Sequence, residues 1–513
     1  MTTTLYRGGV VRSPDSTGAT ALLVEGDTVL WVGPDGLAPD GAGVVVDLAG
    51  HLVTPAFVDA HVHATATGLA LNGLDLSLTV TLPEALDLLA AHARRHRGAP
   101  ILGHGWDDTR WPEQRPPTRQ ELDRASYGGV VFLSRIDSHS AVVSSALIAA
   151  VPGVEAMAGF SDSGWLGQDA HHAVRRAARD TLSSGQRRDA QRATRQRAAA
   201  LGIGCFHEMG GPEIAGADDL RDLIALARDE VGPEVIAYWG EISGVTAAQE
   251  LGAVGAAGDL FVDGSIGSYT AELRHPYVDK PTCGHRYLGT QQLSDHIAAC
   301  VRAGLQAGFH AIGDGALHAL LTDGYDGARR ALGGSWPQTR HRIEHAEMVD
   351  DALISRIAEL GIVASVQPAF DAAWGGADGM YAQRLGRDRA LAMNPLAGFA
   401  AAGVALAFGS DSPVTPLDPW GTVRAAVRHR SPGSAISAEQ AFAAHTTGGW
   451  YAAGVDGEGV LAAGAPATFA IWQVDDLAPG ATLPDIASGA ANPTCLRTVV
   501  RGVTIHEQEG ALR

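Results

Sequence analysis

Lysine is almost missing from this chain: Lys280 stands alone among 38 basic residues, and every other one is arginine. Basic charge is also in deficit, since 57 acidic side chains bring the formal net charge to −19. That balance excludes a general nucleic-acid or anionic-membrane binder, whose electrostatic footprint is basic. The local basic runs ARRHR (93–97) and RRDAQRATRQR (187–197) read as solvated helix faces. Cysteine is scarce. Cys205, Cys283, Cys300 and Cys495 are scattered, without the spacing of a thiolate metal site or a disulfide framework. A reducing cytoplasm is the default compartment for such usage. No uninterrupted apolar run reaches the roughly 18 residues of a membrane span. The opening MTTTLYRGGVVRSPDS has no apolar stretch of signal-peptide length.

The 513 residues present are 46% hydrophobic and 19% charged, a globular balance that can bury a large core. Residues 1–53 read as short β segments broken by turns such as EGD, and the C-terminal segments ATFAIWQV and LRTVVRGVTIHE share that texture. Neither end has enough strands for a stable sheet by itself. Together, 1–53 and 455–513 are expected to form one composite β-sandwich. Residues 54–454 alternate strand-like with helical runs, the pattern of a (β/α)₈ TIM-like barrel in the α/β class. The expected barrel strands are 53–61, 203–208, 234–240, 259–264 (DLFVDG), 305–310, 341–345, 361–368 and 404–411. Residues 64–200 are too long for a barrel loop and are expected to be an insertion over the barrel mouth.

The first barrel strand ends in VDAHVHA, where His61 and His63 share a strand face. Three other expected strands end in ligand-type residues: His310, His345 and Asp411. In a barrel such ends converge at one mouth. Four imidazoles and a carboxylate there suit a divalent metal, Zn²⁺ before Mn²⁺, Fe²⁺, Co²⁺ or Ni²⁺. An ion with an open position lowers the pKa of bound water to about 7 and polarises a carbonyl. Asp411 is the candidate to carry the proton from that water to a leaving group. The small residues Ala405, Ala407 and Gly409 before it leave room at the barrel centre.

The blocks VDAHVHA, FHAIGD (309–314), RIEHAE (342–347) and FGSDSPV (408–414), in this order, resemble the amidohydrolase superfamily. GHGWDDTRWPEQRPPTRQELD, SRIDSHSAVVSSAL and FVDGSIGSYTAEL resemble the branch that includes N-substituted formamide deformylases. The resemblance implies His61, His63, His310, His345 and Asp411 as metal ligands, with Asp411 the proton shuttle. It implies hydrolysis of a non-peptide C–N bond in a small amide-like substrate, an N-substituted formamide being one candidate. Trp106, Asp107, Arg135, Asp137 and His139 become candidates for shaping the substrate site, with Trp106 and His139 taken forward. Asp314 is expected either to orient His310 or to cap the next helix, Glu344 to face the helix layer beside an arginine, and His171 and His172 to lie on the surface. Related sequences often carry a carbamylated lysine four residues before the Asp-Gly pair; here that position is Asp259, and Lys280 reads as a loop residue. One ion is therefore favoured over two. Glu208 is the candidate bridge for a second ion, and Asp259 and Asp263 are the weaker ones. The rival readings are a deaminase, an ester or lactone hydrolase on the same site, or a non-catalytic scaffold. A small-molecule substrate is the expected partner, with no nucleic acid and no membrane, and a homodimer is the base-rate assembly.

Overall fold

The computed structural model describes residues 3–512 apart from 335, 337–338, 432, 476 and 487–490. Among the described residues eight parallel strands form one sheet: Phe57–Val62, Ile203–Gly210, Glu234–Trp239, Gly255–Ala256, Gln306–Ala311, Arg342–His345, Val363–Val366 and Leu406–Phe408. Sheet neighbours follow chain order, and a parallel Val62–Ser412 bridge joins the last segment to the first. The result is the expected α/β barrel, with all C-terminal strand ends at one mouth.

Strand and helix limits follow local chemistry. Helix Thr290–Ala303 stops at Gly304, whose φ of +68° is a left-handed cap that glycine adopts without strain. Helix Asp351–Leu360 starts where the Asp350 carboxylate accepts the Leu353 N–H at 2.9 Å.

Two strand expectations need correction. The segment 53–61 is not one strand. Leu52–Pro55 pairs with Phe469–Gln473 in a terminal sheet, and only Phe57–Val62 enters the barrel. DLFVDG is not the fourth strand either. That strand is Gly255–Ala256, paired with Tyr238 on one side and with Gln306 and Ala307 on the other. Its backbone approaches so closely that a Cβ at Gly255 would stand 2.9 Å from the Gln306 carbonyl oxygen. Such a strand has no room for the β-branched residues by which strands are usually read. Gly258, at φ +95°, then redirects the chain and brings Asp259 to the mouth.

The two ends of the chain make the sandwich together. A four-stranded sheet runs Thr28–Gly33, Ala21–Glu25, Thr3–Arg7, Val44–Asp47. A five-stranded sheet runs Val10–Val11, Leu52–Pro55, Phe469–Gln473, Thr494–Val500, Val503–Glu507. Tyr6, Leu22, Val29, Val53, Phe469 and Ile471 fill the space between them. Residues 64–200 carry a further five-stranded sheet and the helices Gln168–Arg179 and Ser184–Ala200. The second helix is not a wholly solvated basic face. Arg188 and Arg192 do reach outward to Asp222 and Glu230, but Gln191 and Thr194 are buried and bond to Thr65 and Ala64 at the base of the insertion.

Sandwich and barrel meet at Phe57. Its ring packs edge-on against Trp420, Phe442 and Trp472, with centroids 5.0, 5.3 and 5.7 Å away. Phe57→Ala removes this shared anchor and should cost about 3–5 kcal/mol, read as a lower urea midpoint at unchanged slope. A loss below about 1 kcal/mol would show that the junction repacks freely.

Candidate metal centre

Six donors gather at the barrel mouth. Three overlapping groups, His61–His63–Asp259, His61–His345–Asp411 and Asp259–His310–His345, each bring their ligand atoms within 4.8 Å of one another. The Asp259 carboxylate lies among them: Oδ1 is 3.4 Å from His61 Nε2, 3.5 Å from His310 Nδ1 and 3.7 Å from His345 Nε2, and Oδ2 is 3.1 Å from His63 Nε2. Asp411 Oδ1 is 3.2 Å from His63 Nε2 and 3.4 Å from His61 Nε2. The structure thus brings together all five residues the sequence points to, with Asp259, a weaker bridge candidate from the sequence, among them.

The outer ring nitrogens are spoken for. His61 Nδ1 lies 2.9 Å from Glu344 Oε2, His345 Nδ1 lies 2.8 Å from Gln367 Oε1, and His310 Nε2 lies 3.3 Å from the Gly264 carbonyl. Acceptors on those nitrogens fix their protons there and turn the other nitrogen inward as a lone pair. The inward atoms His61 Nε2, His310 Nδ1, His345 Nε2, Asp259 Oδ1 and Asp411 Oδ1 are buried and have no hydrogen-bond partner. Buried orphans of this kind are costly unless something joins them. A set of imidazole and carboxylate donors with empty inward lone pairs fits a divalent cation. Between protein groups alone, burial would lower the pKa of His63, but its hydrogen bonds to Asp259 and Asp411 outweigh this and lift it to about 9.

Glu344 corrects a simple strand-parity argument. It does meet an arginine, Arg342, but inside the barrel rather than in the helix layer. His345 has a left-handed backbone, φ +72°, which breaks the in–out alternation, so both residues turn inward. Arg342 also bonds to Ala60 O and Ser365 Oγ, both at 2.8 Å, and to His207 Nδ1 at 3.1 Å. His207 is therefore an interior residue, while Glu208 points elsewhere.

Glu208 lies outside the three donor groups. Its carboxylate accepts the Ala64 N–H at 2.8 Å, and burial pushes its pKa up to about 8. Asp259 instead lies between the His61–His63 pair and the His310–His345 pair, because Gly258 turns its side chain into the mouth. Asp263 accepts the Ile312 and Gly313 N–H groups and holds a loop. Asp314 neither touches His310 nor caps its helix; it accepts the Arg274 N–H at 3.0 Å.

In the insertion, His139 lines the cavity above the donors, its ring 4.9 Å from that of His310. Trp106 does not. Its indole is buried in the inserted sheet and donates to the Leu133 carbonyl, because a large ring with one N–H is most easily satisfied within that core. His171 and His172 are not surface residues: His171 is fully buried and stacks on Phe132, and His172 packs against Phe261 and Tyr287. The Arg-rich sequence around them conceals a face that packs on the mouth. Arg135 is held by Asp107, Asp108 and Asp137, and Asp137 accepts from the hydroxyls of Ser265 and Ser268.

A parallel barrel with imidazoles and carboxylates at its C-terminal mouth defines the architecture of a metal-using hydrolase. Residues 44–506 match the amidohydrolase family, and the chain belongs to it. It is an enzyme that acts on carbon–nitrogen bonds. It is 28% identical to protein LONG AFTER FAR-RED 3 of Arabidopsis thaliana, across 83% of this chain and 78% of that one. It is 26% identical to the N-substituted formamide deformylase of Arthrobacter pascens, across 96% of each. An uncharacterized metal-dependent hydrolase from Pyrococcus furiosus has the same fold, with a TM-score of 0.72 and 28% identity over 91% of this chain and 98% of that one.

The Arg135 cluster provides a test of the insertion that is independent of chemistry. Arg135→Met leaves the buried Asp107 and Asp137 without their cation, and should destabilise the protein by about 3–5 kcal/mol. Limited proteolysis should then cut within 64–200 first. Unchanged resistance would show that the insertion does not depend on this ion cluster.

Proposed function

We propose that the enzyme is a metal-dependent hydrolase of small, non-peptide amides, with His61, His63, His310, His345, Asp259 and Asp411 as the metal ligands. The observation that carries this reading is the convergence of unpaired, buried inward lone pairs on one point at the mouth. Asp259 reaches toward both the His61–His63 pair and the His310–His345 pair, so this donor set would hold two ions rather than one. Imidazole and carboxylate ligands favour Zn²⁺. The deformylase from Arthrobacter pascens, similar over nearly the full length, makes N-substituted formamides the first substrates to try.

A divalent ion held there supplies Lewis acidity, which makes water a nucleophile near neutral pH and draws electrons from a carbonyl oxygen. The remaining work falls to the chain. Asp411 sits on a left-handed backbone, φ +53°, with its N–H bonded to the His61 carbonyl at 2.8 Å. That pose aims its carboxylate at the donors and fixes it as the base that takes the proton of the attacking water. The same carboxyl then delivers the proton to the departing nitrogen. His139, beside His310 on the cavity wall, is placed to orient the acyl oxygen. Glu344 and Gln367 keep the ligand tautomers correct throughout.

Elemental analysis of the purified enzyme should give two divalent ions per chain, and Asp259→Asn should lower that number; one ion in both would discard the shared carboxylate. Asp411→Asn should stay folded while formamide hydrolysis falls by about 10²–10⁴-fold. Near-normal turnover in that variant would remove Asp411 from proton transfer.

A further inference from the structure

The cavity that opens on the metal centre has a volume of about 180 Å³, and its charges are unevenly placed. Leu69, Leu102, Phe132, Leu182 and Ile214 give it an apolar wall. Arg175 and Arg179 line it too, one turn apart on the helix Gln168–Arg179 and therefore on one face. Among the described residues, neither guanidinium has a carboxylate within 4.0 Å. Arg175 donates to the Glu213 carbonyl at 2.5 Å and approaches His172 Nδ1 at 3.4 Å; Arg179 donates to the Pro212 carbonyl at 3.3 Å. Of the carboxylates nearby, Glu213 meets Arg176 through Oε1 at 2.7 Å while its Oε2 has no hydrogen-bond partner, Asp219 accepts from the Thr65 hydroxyl at 2.7 Å, and Asp180 lines the same cavity. Arg175 Nε, and Nε and Nη1 of Arg179, are buried N–H groups with no acceptor. Burial and the neighbouring Arg175 pull Arg179 down to about 9.

Two adjacent guanidiniums with open N–H groups, beside an apolar wall, lack an oxyanion to complete them. A guanidinium is a planar fork of donors that matches a carboxylate. A single negative charge suits the cavity better than a double one, because Asp180 and Asp219 also line it. We propose that Arg175 and Arg179 bind a carboxylate of the substrate, so that the enzyme takes N-acyl or N-formyl amino-acid-like amides with a short apolar side chain. This rests on the amide-hydrolase reading of the metal centre. The apolar wall takes the side chain, the arginines take the carboxylate, and the acyl carbon is left at the donors.

The test compares N-formyl-leucine with its neutral counterpart N-formyl-leucinamide on the metal-loaded enzyme. The acid should be preferred by about 10²-fold in kcat/KM, as expected for charge-assisted hydrogen bonds. Arg175→Met or Arg179→Met should lower kcat/KM for the acid by about 10-fold or more, through KM, and leave the amide within about twofold. Arg192→Met, whose side chain reaches outward to Glu230 on the neighbouring helix, should change neither. Equal rates for acid and amide, or an equal loss on both in the arginine variants, would overturn the proposal. Calorimetry with N-acetyl-leucine, N-acetyl-leucinamide and the phosphonate analogue of N-acetyl-leucine needs no turnover. The carboxylate should bind tightest, and Arg179→Met should abolish its advantage. Tighter binding of the phosphonate, or no difference between acid and amide, would also overturn the proposal. If no amide is hydrolysed at all, the amidase reading fails, while the calorimetric preference still decides the arginine pocket. Arg179 is the last residue of its helix, so its variant carries the comparison even if Arg175→Met does not fold.

Discussion

Asp259 lies where four imidazoles meet, and the mouth of the barrel is organised around that carboxylate. A charge in so dry a place needs opposite charge close by. Of the basic groups among the described residues, only imidazoles, and no guanidinium or ammonium, lie within 4.0 Å of it. Three of the imidazoles, His61, His345 and His310, turn a ring nitrogen inward as a lone pair, because Glu344, Gln367 and the Gly264 carbonyl occupy their outer faces. Asp411 adds a second carboxylate to the same point. Negative charge, neutral lone pairs and burial together describe a site whose cation comes from outside the chain. Between protein groups alone, Asp259 and Asp411 outweigh the burial that disfavours charged imidazole and raise the pKa of His61, His63 and His345, so protons compete with that cation for the same position.

Beneath this layer lies an internal ion pair. Glu344 is shared between Arg342 and His61, and Arg342 in turn ties Ala60, Ser365 and His207 together. Strands one, two, six and seven therefore meet through a single guanidinium, a geometry that a fork of five donors can satisfy and an ammonium cannot. The pair fixes the His61 ring from below while the metal position lies above it. Left-handed backbones at His345 (φ +72°) and Asp411 (φ +53°) turn both side chains inward. Such conformations cost about 1–3 kcal/mol each and persist where surrounding bonds over-determine them.

Much of this was readable from the sequence, because strand ends in a barrel converge regardless of detail. His61, His63, His310, His345 and Asp411 each stand at the end of an expected barrel strand, and that shared position grouped them. Asp259 was visible only as a departure from the lysine common in related sequences and as a weaker candidate bridge, since the strand before it, Gly255–Ala256, lacks every residue that marks strands. Glu344 was misplaced by alternation, which assumes extended backbone through His345. Arg175, Arg179 and His171 were hidden by composition. An Arg-rich helix reads as solvated, and only its docking on the mouth reveals which face is covered. Tertiary placement of an insertion has no periodic signature in a single sequence.

That insertion and the donors are mechanically one unit. The chain that carries Asp259 out of the fourth strand continues through Ser265 and Ser268, whose hydroxyls meet Asp137 at 2.9 and 2.8 Å. Gly267 passes so close beneath them that a Cβ there would lie 2.5 Å from Arg135 Nη1 and 2.6 Å from Asp137 Oδ2. Asp137 also lines the cavity, and its neighbour His139 sits over His310. A shift of the insertion is therefore transmitted along ten residues to the carboxylate among the histidines. The cavity wall and the carboxylate among the histidines share one short segment. Changes in specificity within the insertion are thereby constrained to those that leave the Arg135–Asp137–Ser268 contact intact.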